Sequence, residues 1–98
     1  MYDSFPQSWK PQVGDVLVGT VEARKIAQTA YGERRILRVK DEKTGRTFSV
    51  WLSSADLLGK VARENPAIGE RVGIKRLEND GQKHRFEFRV DRRKKEAS

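Results

Sequence analysis

Cysteine is absent from this 98-residue chain, and histidine occurs once, as His84. The first absence excludes disulfide staples and thiolate metal sites. A lone histidine without clustered carboxylates is also too little for a metal centre, so no metal and no cofactor are expected. No apolar run is long enough to cross a bilayer, and no charged-then-apolar leader ends in small residues. The expectation is a cytoplasmic protein with no membrane partner. No nucleophile stands beside a recognisable base. The stretch "GERVG" lacks the lysine and the serine or threonine of a phosphate loop, and a β pattern follows it where a helix would be needed. A non-catalytic protein is expected.

Charge is what the chain has in quantity. Charged residues make up 36% of it, as do hydrophobic ones, and the net charge is +7. That excess favours polyanionic partners. Part of it lies in the terminal "DRRKKEAS", which reads as a solvated basic tail over 92–98. Setting aside Arg92, Arg93, Lys94 and Lys95 leaves about +3 on the remainder. The length suits one domain.

The first twelve residues, with two prolines and no periodicity, read as an irregular arm carrying Tyr2, Phe5 and Trp9. "VGDVLVGTVEARKIAQ" is rich in β-branched residues and reads as a first strand. Gly19 inside it marks a bend or a close approach of another backbone. Tyr31-Gly32 supplies a turn, and "RRILRVKD" is a second strand. Leu37 and Val39 take one side of it, with Arg34, Ile36, Arg38 and Lys40 on the other. After the turn "EKTGR", strand three, "TFSVWL", places Phe48, Val50 and Leu52 on a core face. Thr47, Ser49 and Trp51 fall on the opposite face. Ser53 and Asp56 have capping-box spacing ahead of a helix whose apolar side is Leu57, Leu58, Val61 and Ala62. Asn65-Pro66 ends it. "IGERVGIKRLEND" and "KHRFEFRVD" are strands four and five, joined at Asp80-Gly81.

The order strand, strand, strand, helix, strand, strand predicts an all-β fold with one helix, a five-stranded Greek-key barrel of the OB type over 13–91. The chain resembles OB-fold nucleic-acid-binding domains. "VGDVLVGTV" is similar to the first strand of their RNA-binding repeats, "WLSSADL" to their helix start and "IGERVGIKRLEND" to their fourth strand. The resemblance implies a binding surface on the outer face of strands two and three, with flanking loops. Carried onto this sequence, that surface is Arg34, Ile36, Arg38 and Lys40 beside Thr47, Ser49 and Trp51. Tyr31, Lys83 and His84 flank it, and Arg92, Arg93, Lys94 and Lys95 add phosphate contacts from the tail.

Two functions follow as expectations. One is a non-catalytic binder of single-stranded DNA or RNA, a base stacking on Trp51 while arginine and lysine hold phosphates. The other is an OB-fold protein-interaction subunit of a replication or processing assembly, or a homo-oligomer, joined through Trp51, Ile36 and the Trp9 arm. Each site residue also has a plainer role. Trp51 covers a barrel edge against the arm, the three cations form a solvated strand face, and His84 is half-buried at a barrel end, in phase with Phe86 and Phe88.

Overall fold

The computed structural model describes residues 7–92; Tyr2, Phe5, Arg93, Lys94 and Lys95 lie outside that range. The longest element, β2 (Val16–Thr29), organises the rest. Its first part pairs antiparallel with β5 (Arg71–Arg76), from Val16 opposite Lys75 to Thr20 opposite Arg71. From Gly19 onward it pairs antiparallel with β3 (Gly32–Asp41). Gly19 is where β3's backbone closes in: a Cβ there would lie 1.9 Å from the Lys40 carbonyl oxygen. Only glycine permits that approach. A bulge then interrupts the register between Val21 and Ala23. An extra residue in one strand reverses which face each later side chain meets. Leu17 and Val21 therefore point into the core, but Ala23, Lys25 and Ala27 share the outer face with Ile36, Arg38 and Arg34.

β4 (Thr47–Trp51) pairs antiparallel with β3, and β6 (Phe86–Asp91) with β5. Residues expected to form an irregular arm instead supply β1 (Gln7–Ser8), which lies parallel to β4. The sheet order is β1-β4-β3-β2-β5-β6. The expectation of a five-stranded closed barrel is thus corrected to a six-stranded mixed sheet that does not close. Contacts at both edges hold the end strands of the open sheet. The single helix, α1 (Ala55–Glu64), lies against β6 and satisfies its backbone. The Phe86 amide donates to Asp56 Oδ2 at 2.9 Å, and Lys60 Nζ donates to the Phe86 carbonyl at 2.6 Å. On the other edge, the Trp9 amide donates to the Ser49 carbonyl.

The core is continuous from sheet to helix: Leu17, Val21, Leu37, Val39, Val50, Leu52, Val72, Ile74, Phe86 and Phe88 enclose Leu57 and Val61 of α1. Trp9 packs onto it, its ring 6.5 Å from that of Phe86. The helix begins one residue later than the capping-box spacing placed it. Ser54 is the N-cap, its Oγ accepting from the Leu57 amide, while Asp56 turns away to serve β6. Asn65 closes the helix at φ 47°, a left-handed conformation asparagine tolerates. No helix among the described residues is long and apolar enough to cross a membrane.

Candidate functional site

The register of the three-stranded region fixes the candidate face. Trp51 lies opposite Ile36, which lies opposite Lys25. Ser49 lies opposite Arg38, which lies opposite Ala23. Thr47 lies opposite Lys40, and Lys40 opposite Thr20. The structure therefore brings Trp51, Arg38, Lys40, Ser49, Thr47 and Ile36 onto one surface and adds Lys25, which strict alternation from Val21 assigns to the core side. The bulge is the cause, and the sequence carries no residue that announces it.

These side chains are not equally available. Trp51 is 38% exposed, and its indole Nε1 donates to Ser8 Oγ at 3.1 Å. The N-terminal strand thus holds the ring by its edge and leaves part of it uncovered. The arm touches Trp51 without burying it, so the covering role holds only in part. Ile36 and Ser49 are buried, at 8% and 6% exposure, so they form the floor between larger neighbours. Thr47 Oγ1 donates to Glu22 Oε1 at 2.7 Å, which places one carboxylate at that end of the face.

The flanking residues are more dispersed. Tyr31 is 85% exposed at the tip of the β2–β3 hairpin. Arg34 is half-buried, and its guanidinium donates to the neighbouring Glu33 carbonyl. Lys83 and His84 line a cleft with Ser53, Ser54 and Asp56 at the start of α1, just beyond the end of β4. His84 is exposed, which corrects its reading as a half-buried residue in phase with Phe86. β6 starts only at Phe86, so the alternation does not reach back to it. Its carbonyl accepts from Ser54 Oγ, so its backbone anchors the helix start.

Charge is partitioned across the molecule. Away from the candidate face, several cations meet acids, while others such as Arg63, Lys75 and Lys83 form no ion pair among the described residues. Arg71 bridges Glu42 and Asp91, Lys60 meets Asp56, Arg85 meets Asp56 and Asp80, and Arg89 meets Glu87. Arg92 was expected in the tail as a phosphate contact, yet it is held by Glu70 at 3.1 Å and Glu64 at 3.5 Å. These partners leave their mark on ionisation. Hydrogen bonding from Arg71 lowers Glu42, and hydrogen bonding from Arg92 lowers Glu70. Asp56 is lowered first by the Phe86 amide and then by Lys60 and Arg85. By contrast, Lys25, Arg34, Arg38 and Lys40 form no ion pair among the described residues. Arg38 goes further: its Nε is buried with no hydrogen-bond acceptor. A buried donor without a partner costs about 1–3 kcal/mol.

Among the described residues no group of three histidines or carboxylates is placed to hold a metal ion. Comparison with family models, with curated proteins and with solved structures finds no match to this chain.

Proposed function

We propose that this protein binds single-stranded nucleic acid without catalysis, on the outer face of β2, β3 and β4. Arg38 carries the reading: it is a partly exposed cation with no ion pair among the described residues, one step diagonally from an indole that is 38% exposed. A phosphate supplies the counter-charge that Arg38 lacks among the described residues, and a base supplies the apolar plane that covers Trp51. Single strands offer both at short spacing, and stacking on an aromatic ring contributes about 1–3 kcal/mol per base. Lys25, Lys40 and Arg34 extend the positive track on either side.

The strand order also supports an OB-type reading. A long strand shared by both halves of the sheet, with the helix after the third strand of the meander, is consistent with that connectivity, although the sheet does not close. In that architecture the β2–β3–β4 face is where a ligand strand would cross.

Indole fluorescence tests the assignment. In a Trp9→Phe background the only remaining indole is Trp51, which a stacked base should quench. Saturating oligonucleotide that binds without changing that emission would remove Trp51 from the site.

A further inference from the structure

The bulge that turns Lys25 outward also turns Ile26 inward, past the end of the core. The distal half of the β2–β3 hairpin projects beyond β5, whose pairing with β2 ends at Thr20. Beneath this overhang runs a groove of about 480 Å³ between the hairpin and α1. Its lining is aliphatic: Ile26 and Leu37 from the hairpin, Leu52, then Leu58, Val61 and Ala62 from the helix. Ile26 is 58% exposed and Leu58 37%, although they line the same groove. Along one side, β2 from Ala23 to Thr29 has β3 as its sole strand partner among the described residues, so its other backbone edge is open.

The rim is basic. Arg35 and Lys25 line the groove and form no ion pair among the described residues. Arg24 closes one end by donating to Asn65 Oδ1 and the Pro66 carbonyl. The acid near the hairpin tip, Glu33, accepts from the Gln28 amide.

We infer that this groove docks an acidic, extended segment of a partner protein, with alternate aliphatic or aromatic side chains inserted and carboxylates on Arg35 and Lys25. An open strand edge beside apolar pockets is how folded domains capture extended peptides: the backbone supplies affinity and the pockets specificity. Charge selects the partner. A second copy of this chain would bring Arg35 and Lys25 toward their own counterparts across a twofold contact. A nucleic acid would find no aromatic ring in the lining on which to stack a base. The inference does not depend on the nucleic-acid reading, because neither Trp51 nor Arg38 lines the groove; Lys25 and Ile36, at its rim, are the residues the two surfaces share.

The test uses a fluorescein-labelled synthetic peptide alternating aspartate with leucine and phenylalanine, followed by anisotropy. The wild-type chain should bind it, and should not bind the same peptide with lysine for aspartate. Ile26→Glu and Arg35→Glu, both at exposed positions and checked for folding by circular dichroism, should each weaken binding by about tenfold or more. Trp51→Ala should leave peptide affinity unchanged. Equal binding by wild type and Ile26→Glu, or no binding by wild type, would overturn the proposal. So would displacement of the peptide by single-stranded oligonucleotide that persists in Lys25→Ala, the shared cation removed, because it would make the groove itself part of the nucleic-acid path. A wild-type dimer that Ile26→Glu converts to monomer in sedimentation would overturn it too, by assigning the groove to a second copy.

Discussion

In the proposed site Trp51 and Arg38 would act by different physics, although they are diagonal neighbours on one sheet face. Removing the ring in Trp51→Ala should cost about 1–3 kcal/mol of oligonucleotide affinity, with the salt dependence nearly unchanged because stacking releases few ions. Isothermal titration at two salt concentrations checks both halves of that statement. Glycine gives a matched pair for stability. In Gly19→Ala the new Cβ would meet the Lys40 carbonyl at 1.9 Å, so β2 and β3 must separate. Overpacking of that kind costs about 1–3 kcal/mol or more. In Gly73→Ala the nearest atom is Val18 Cγ2 at 3.9 Å, an ordinary contact, so the change should stay within about 0.5 kcal/mol. Urea denaturation of the two variants compares them directly. Gly19 was legible as a place of close approach from the sequence alone, since a glycine inside a β-branched run has few other reasons to be there. Lys25 was not, because its position depends on a bulge that no residue type announces.

At the scale of elements, α1 joins the sheet through its first turn, and Asp56 is the joint. Its carboxylate accepts from the Phe86 amide and meets Lys60 and Arg85. These contacts hold its pKa below the usual aspartate value. A lowered folded pKa means that Asp56 stabilises the fold above the unfolded value near 3.9 and that this contribution fades as pH falls through that range. Asp56→Ala should therefore melt below wild type at neutral pH, and the gap should narrow toward pH ~3. Thermal melts across that interval would show it, and a gap independent of pH would refute the role given to the charge. The cap is separable: Ser54→Ala should cost about 0.5–2 kcal/mol at any pH. The sequence shows a helix start at this point because hydroxyls and an acid precede an apolar stripe. It does not show which serine caps, since Ser53 and Ser54 are adjacent and Asp56 is recruited by a strand thirty residues away. The same limit applies to β1. Two residues beside prolines carry no alternation, and their pairing exists only because β4 offers an edge.

Over the whole molecule, the ion pairs among the described residues involve Arg71, Arg85, Arg89, Arg92 and Lys60, while the cations of β2 and β3 form none. Net charge from sequence could not distinguish these regions, because Arg71, Arg85, Arg89 and Arg92 count the same as Arg38 and Lys40 until their partners are known. The fold decides which cations remain for a polyanion. Arg92 illustrates the difference: with Glu70 and Glu64 engaged, Arg92→Ala should reduce stability more than it reduces oligonucleotide affinity. The most direct measurement is the affinity for a single-stranded oligonucleotide at several salt concentrations, for wild type and Arg38→Ala, both confirmed folded. The account predicts wild-type binding that weakens linearly with log salt, and a slope smaller in magnitude by ~0.7 in Arg38→Ala, the loss of one phosphate contact. Binding that is absent in the wild type at low salt, or a slope identical in both proteins, would contradict it.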